Sequence, residues 1–390
     1  MMMRLFGLVM VCALVSAGPA AVPLNAQWID DPALSATIQK GIDHIYNLEF
    51  SDAEKVFADV VRSRPEHPTG HFFQAMIQWV RILSDFNVES HDDRFIQMLD
   101  RVIEMCDRRL EKNPRDIVAL FFKGGSIGFR GRLRANRGSW LLAAKDGISA
   151  LPLVRKAYEI EPGNHDVLLG IGIYNYYAAV IPDAYPFVKP VMIFFPTGDR
   201  SKGIEQLELA SRNARYARAE ASYFLMQNHY LYEKNYIRAY ELARMLHERY
   251  AKNPIFHRYL GRTSVSLGMW PEAERVFGEV AACVQRHQTG YGEHDGREAH
   301  YYLGRAAFLR GDLPTARNHY LSSVDLSARI DSREGSGFAS LATLALGMIH
   351  DLQQERAEAV KYYRKVLNLK KYQNSHVDAR RYLVTPYARN

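Results

Sequence analysis

The sequence predicts an all-α protein in which paired helices stack as repeats, and three recurring features support this fold class. The first is a set of alanines that are each followed, four positions on, by an aromatic residue or a further alanine: Ala53, Ala239, Ala273, Ala316 and Ala359. The second is a glycine twelve positions before four of these alanines. The third is a proline just after predicted second helices, at positions 65, 114 and 162. A spacing of four puts these side chains on one helix face, and glycine lets a neighbouring helix approach closely.

The N-terminal segment, residues 1–26, is predicted to be a secretory signal peptide. Arg4 precedes an apolar run over residues 5–17, and the small residue Ala26 stands at the expected cleavage site. A membrane-spanning helix needs about 20 apolar residues, so an uncut membrane anchor is the less favoured alternative. We expect a mature chain that is periplasmic or secreted, has no transmembrane segment, and could associate with the cell envelope.

The net charge and the cysteine content argue against two classes of protein, those that bind nucleic acids and those held together by disulfides. The formal net charge is +7 at pH 7, a mild surplus for 390 residues, so we expect no nucleic-acid partner. After the signal peptide, the cysteines are Cys106 and Cys283, which do not make a disulfide framework. Cys106 occupies a packing position of its predicted helix and is therefore expected in the core.

The middle of the chain fits the repeat pattern only with two inserts. We expect the first at "RGRLRANRGSWLLAAKDG" (130–147) and the second at "VIPDAYPFVKPVMIFFPT" (180–197). The second is too apolar to be left exposed in a soluble chain, so it is predicted to cover the stacked helices. It also supports an alternative function, a solenoid that binds a small ligand or lipid at this apolar site.

The stretch "GNHDVLLGIGIYNYYAAVIPD", residues 163–183, contains half of a nucleotide-binding glycine motif. A dinucleotide loop requires a preceding strand and a third glycine, and neither is indicated around Gly170 and Gly172. We therefore interpret this stretch as a first helix of a repeat, in which the two glycines allow close packing.

The most regular repeats lie in residues 217–370. "YYLGRAAFLRGDLPTARNHYLSSV", from Tyr301 to Val324, resembles the tetratricopeptide-repeat family in its leucine-glycine pair, turn glycine, alanine and aromatic. The sequence departs from the family where Ala307 and Ser264 replace an aromatic of the first helix. The repeat spacing also grows from 34 residues after Ala239 to 43 residues in the later repeats.

This resemblance implies a right-handed superhelical solenoid of about eight helix pairs over residues 27–374. A C-terminal capping helix and tail are expected in residues 375–390, since stacked repeats need an end piece over the last apolar face. The resemblance also implies a non-catalytic scaffold that binds proteins or peptides in its concave groove, lined by the first helices. The chain is similar to exported envelope proteins of Gram-negative bacteria that carry this repeat.

The candidate partner-binding residues fall into two groups. The first group is a cluster of four arginines and a tryptophan: Arg130, Arg132, Arg134, Arg137 and Trp140. An arginine side chain can form bidentate hydrogen bonds to a carboxylate or to an anionic lipid head group. The alternative for this cluster is a solvated helix face or ion pairs within the solenoid. By resemblance to the family, the groove is expected to present Tyr174, Tyr176, Arg258 and Arg262.

We predict no metal site, no cofactor and no enzymatic activity. His287, His294, Asp295 and His300 form the densest histidine cluster, but none of them has the spacing of a helical zinc motif. No assembled catalytic set is apparent, although an enzyme remains the third alternative because active sites are assembled in space.

Overall fold

The computed structural model describes residues 31–85, 88–186, 189, 196–331 and 336–389. Within these residues the chain forms seventeen α-helices and no β-strand, which confirms the all-α prediction. The helices are α1 (Pro32–Tyr46), α2 (Phe50–Ser63), α3 (Pro68–Ser84), α4 (Asp92–Lys112), α5 (Ile117–Asn136), α6 (Trp140–Ile160), α7 (His165–Ala184), α8 (Arg200–Asn213), α9 (Arg218–Asn228), α10 (Tyr236–Arg249), α11 (Pro254–Ser266), α12 (Trp270–Gln285), α13 (Glu293–Arg310), α14 (Leu313–Ile330), α15 (Gly337–Leu352), α16 (Arg356–Leu367) and α17 (Ser375–Val384). The predicted signal peptide lies outside the described residues.

The first sixteen helices stack as eight pairs, from α1–α2 to α15–α16. Both helices of a pair are in contact, and each second helix packs on the first helix of the next pair. The last helix, α17, packs on α15 and α16 and covers the end of the stack. It lies within residues 375–390, where the C-terminal capping helix and tail were predicted.

The packing of each regular pair depends on a glycine that receives an aromatic ring. A Cβ atom on Gly261 would lie 2.7 Å from the ring of Phe277, and one on Gly347 would lie 2.5 Å from the ring of Tyr363. The same relation joins Gly41 to Phe57. In each case the aromatic residue comes sixteen positions after the glycine, so the predicted repeat spacing describes a real contact between the two helices.

The first predicted insert is wrong, because residues 130–147 continue two long helices. The helices α5 and α6 have 20 and 21 residues and are joined by a short turn. Gly138 in this turn has a φ of +75°, a left-handed conformation that favours glycine. The arginine cluster therefore lies on the last turns of α5 and in the turn that follows.

The second predicted insert begins later than expected, since α7 continues to Ala184 with Pro182 in its last turn. Residues 187, 188 and 190–195 lie outside the described residues, so coverage of the solenoid by this segment stays a prediction. The helical interpretation of residues 163–183 is confirmed. A Cβ atom on Gly172 would lie 2.9 Å from Leu207, and one on Gly203 would lie 2.6 Å from the backbone of Tyr176.

Helix α7 corrects the expectation that no segment after the signal peptide is long and apolar enough to span a membrane. By length and composition it is the one helix of the described chain that could cross a membrane. We expected no segment after the signal peptide to reach that length. Val167 and Ile171 of α7 are buried in the packed helices, and the close contact of α7 with α8 places this helix in the stack.

The superhelix closes on itself, so that α1 lies against the helices of the fifth and sixth pairs. The Tyr46 hydroxyl donates a hydrogen bond of 2.7 Å to Glu220, and the Tyr46 ring lies 5.2 Å from that of Tyr250. The side-chain amide of Asn253 donates to the Tyr46 carbonyl at 2.8 Å. The turn after α1 continues the contact, with Leu48 packed against Gly290.

Candidate functional site

The first helices of successive pairs form the inner layer of the curve. Contacts between neighbouring first helices join α1, α3, α5, α7 and α9, and a further contact joins α13 to α15. Accessible side chains on these first helices are therefore the candidate interaction residues.

In the first half of the chain, this inner space is filled by the protein itself. The Arg132 guanidinium lies 4.9 Å from the Trp79 ring centre and 4.3 Å from that of Phe224. It also donates a hydrogen bond of 2.7 Å to Glu220, the same carboxylate that accepts from Tyr46. Burial alone would lower the pKa of Arg132, but the Glu220 carboxylate raises it above its ordinary value. Arg132 therefore holds the closed interior together.

The other arginines of the predicted cluster also form ion pairs. Arg130 and Arg134 share the buried carboxylate of Asp146, at 2.8 and 2.7 Å. Arg137 pairs with Asp92 at 2.6 Å. All four arginines of the cluster therefore form ion pairs within the solenoid, which is the alternative that the sequence left open. Binding of a partner by them stays a prediction.

The aromatic candidates differ in their exposure. Tyr176 is completely buried, and its hydroxyl donates a hydrogen bond of 2.6 Å to Glu233. Tyr174 is partly exposed and donates to the carbonyl of Pro196 at 2.5 Å. Trp140 is 44% exposed at the start of α6. Tyr176 thus packs, while the other two side chains remain accessible.

Arg258 and Arg262 meet two buried carboxylates across neighbouring first helices. The Arg258 Nε atom lies 2.7 Å from Asp295, and Arg262 donates a hydrogen bond of 2.6 Å to Glu298. Burial would raise the pKa of Glu298, but the two arginines lower it below its ordinary value. Glu298 did not stand out in the sequence, although a glutamate on the apolar face of a repeat helix is a signal that a basic partner faces it.

Partly exposed side chains surround this ion-pair network. On α13 the spacing of Glu298, Tyr302 and Arg305 places the three residues on one face. The Tyr302 ring stacks on the Phe277 ring at 4.6 Å, and the pKa of Tyr302 is raised by burial and by the nearby charge of Glu298.

The first helix α11 and the π-helical turn His229–Glu233, which directly follows α9, complete a continuous surface. The Arg262 guanidinium lies 5.2 Å from the Tyr259 ring centre, and the Tyr230 ring packs edge-on against Tyr259 at 5.6 Å. Arg305 is exposed at the other end of this face. We name the accessible part the inner tyrosine–arginine surface; it consists of Tyr230, Arg262, Tyr302 and Arg305.

The predicted histidine cluster is not brought together as one group. His294 lies 3.2 Å from its neighbour Asp295, whereas the His300 Nδ1 atom lies 3.0 Å from Nδ1 of His319. Burial, together with the charge of His319, lowers the pKa of His300 to about 4. His287 lies two residues beyond the end of α12, with a φ of +51°.

A cavity of about 300 Å³ lies at the seam where α1 meets α8, α9 and α10. Its lining includes Gln39, Tyr250 and three arginines, Arg215, Arg218 and Arg249. This lining combines the three cationic groups with apolar and aromatic side chains such as Ile42 and Tyr216. The apolar segment proposed for a lipid falls largely outside the described residues.

One family profile matches the sequence, and it covers residues 260–329. The family is described as Tetratricopeptide repeat. The matched residues run from α11 to the end of α14, the part of the chain in which the glycine and aromatic spacing is most regular. No curated protein matches the sequence.

Solved structures with similar architecture include the Cut9–Hcn1 hetero-tetramer of the APC/C, with a TM-score of 0.51 at 13% identity over 86% of this chain. The match spans 52% of that longer chain. PilF of Pseudomonas aeruginosa is 15% identical, covers 66% of this chain and 96% of its own, and has a TM-score of 0.42. Rap protein complexed with Competence and Sporulation Factor is 15% identical over 91% of this chain and 97% of its own, with a TM-score of 0.43. At these identities the likeness to Cut9 concerns the fold alone.

Proposed function

We propose that this chain, whose residues 260–329 match the tetratricopeptide-repeat family, is a non-catalytic scaffold that binds a protein or peptide through the inner tyrosine–arginine surface. The observation that supports this site is that its side chains are accessible on the inner layer in the second half of the solenoid. In the first half, by contrast, Arg132 and its neighbours fill the inner layer. Stacked repeats commonly use their concave face for binding.

The chemistry of this surface indicates what the partner offers. Tyrosine and arginine are the residue types that most often dominate binding energy at protein interfaces. Arg262 is already paired with Glu298, whereas Arg305 presents an exposed guanidinium beside Trp270, 5.4 Å from its ring centre. We therefore expect a partner segment with a carboxylate for Arg305 and apolar side chains that pack on Tyr230 and Tyr302.

Site-specific photo-crosslinking tests this proposal. A photoreactive phenylalanine analogue replaces Tyr302 in cells that express the full chain, and crosslinked proteins are identified by mass spectrometry. The matched control places the same analogue at Arg317, an exposed position on the second helix α14. Crosslinks to a defined protein from position 302 but not from position 317, reduced by Arg305→Ser, are expected. Equal crosslinking at both positions would overturn the proposal.

We also propose that the scaffold acts outside the cytoplasm, in the periplasm or after secretion. The support is the sequence of residues 1–26, with its short apolar run and small residue at the cleavage site. Fractionation of cells that express the full chain tests this proposal, and recovery in the cytoplasm with residues 1–26 intact would contradict it.

A second candidate function is capture of a small anion at the seam cavity. Three arginines line a volume of about 300 Å³, which is at the lower end of the range for small-ligand sites. Inorganic phosphate and citrate are the probes, with thermal unfolding as the readout. Stabilisation by either anion that Arg218→Gln abolishes would support this function, and equal midpoints with and without the anions would exclude it.

A further inference from the structure

Three consecutive helices bring two histidines and a glutamate together on the fifth and sixth pairs. His247 lies near the end of α10, His257 near the start of α11 and Glu279 on α12. One side-chain nitrogen or oxygen from each lies within 4.8 Å of the other two. The two imidazole rings are stacked with their centres 4.3 Å apart and their planes 14° apart.

Each of the two histidines has a buried ring nitrogen without a hydrogen-bond partner in the described structure. His257 is only 3% exposed, and its Nε2 atom lies 3.4 Å from the nearer carboxylate oxygen of Glu279. Neither this Nε2 atom nor the Nδ1 atom of His247 makes a hydrogen bond within the described structure. Buried polar atoms are rarely left unsatisfied, so two such atoms on stacked, neighbouring imidazoles indicate a missing partner.

Neighbouring side chains hold His257 and Glu279 in place. The Tyr291 hydroxyl lies 2.9 Å from Nδ1 of His257; when Nδ1 carries the proton and donates it to this oxygen, Nε2 presents its lone pair. Arg275 donates a hydrogen bond of 2.7 Å to one oxygen of Glu279, so the other oxygen remains directed at His257. Such outer contacts are typical around metal ligands.

We propose that His247, His257 and Glu279 bind one divalent transition-metal ion of the zinc class. Ligand bonds of about 2.0–2.1 Å in a tetrahedron separate the ligand atoms by about 3.3 Å, close to the present distance between His257 and Glu279. His247, which is partly exposed, must tilt out of the ring stack to complete the set. Two imidazoles and one carboxylate suit zinc, cobalt, nickel or copper better than calcium or magnesium.

The environment of the site is consistent with metal binding at neutral pH. Burial lowers the pKa of both histidines, that of His257 to about 4, so burial disfavours the protonated imidazoles, which cannot bind a metal ion through that nitrogen. Glu279 and Arg275 are partly exposed, which leaves one side open to solvent for entry and for a fourth, water ligand. A bound ion would fasten α10, α11 and α12 to one another.

Zinc and cobalt titrations of the full mature chain, freed of purification tags and chelated metal, test the site. Isothermal titration calorimetry is expected to give one zinc per chain, and cobalt is expected to give the visible absorption of a tetrahedral site. We expect Glu279→Gln to weaken zinc binding at least tenfold and His247→Ala to abolish the cobalt spectrum. Glu248→Gln is the matched control, because it removes the same charge beside His247 without removing a ligand.

Circular dichroism spectra of the variants verify that each is folded before titration. Zinc should raise the thermal midpoint of the wild type and of Glu248→Gln, but not that of His247→Ala. The proposal is overturned if the folded wild type binds no zinc at micromolar concentration. It is equally overturned if zinc binding survives His247→Ala and is lost instead on His300→Gln, which would place the ion at the His300–His319 pair.

Discussion

The contact between Gly261 and Phe277 gives a sharp test of how the pairs pack. Gly261 on α11 faces the fully buried Phe277 ring of α12, and a Cβ atom would lie 2.7 Å from two ring carbons. Carbon atoms prefer separations of about 3.5–4.0 Å, so Gly261→Ala must displace the ring or the helix by roughly 0.8 Å. The ring cannot withdraw easily, because Tyr302 stacks on it at 4.6 Å.

The size of the effect follows from two opposing contributions. Overpacking a well-packed core costs about 1–3 kcal/mol. Alanine in place of glycine inside a helix contributes about 1 kcal/mol of stability. Gly278 on α12 isolates the second contribution, because a Cβ atom there meets nothing within 4 Å. The difference in unfolding free energy between Gly261→Ala and Gly278→Ala is therefore the packing cost alone, about 1–3 kcal/mol.

Urea denaturation followed by circular dichroism at 222 nm measures both variants under the same conditions. We expect Gly278→Ala to unfold at a higher urea concentration than the wild type, and Gly261→Ala to unfold at a lower concentration than Gly278→Ala. If Gly261→Ala is as stable as Gly278→Ala, the glycine does not serve to admit the aromatic ring, and the packing rule inferred for the repeat is wrong.

Three further predictions concern charge and processing. Arg132→Ser should destabilise the fold by about 3–5 kcal/mol, because it leaves the buried Glu220 carboxylate without its cation; a urea midpoint within error of the wild type would refute this role. Glu298 has a folded-state pKa below its ordinary 4.5, so its contribution to stability is complete above about pH 4.5 and is lost as the pH falls through the folded-state value. The urea midpoint of the wild type should consequently fall more steeply between pH 5 and pH 3 than that of Glu298→Gln, and parallel curves would contradict the assignment. N-terminal sequencing of exported protein should begin at Gln27, and a chain that retains Met1 would show that the leader is not cleaved.

The sequence by itself determined the repeat frame, because the contacts behind it are local. Gly347 meets Tyr363 within a single pair, sixteen residues apart, and helical periodicity places both on facing surfaces. The same locality explains why the segment around Gly172 could be assigned to a helix, and why a capping helix was expected near the C-terminal end. The long α5 and α6 were misjudged, since no local signal distinguishes a longer pair from a pair with an insert.

Only the tertiary structure decided which side chains are accessible. The contact between Tyr46 and Glu220 joins residues 174 positions apart, and the pair of Arg132 and Glu220 joins residues 88 positions apart. Both depend on the curvature that accumulates from a small rotation at each pair, and this rotation has no signature in any single repeat. Because of this accumulated curvature, Arg132 and its neighbours fill the inner layer in the first half of the chain, whereas Tyr302 and Arg305 remain accessible in the second half.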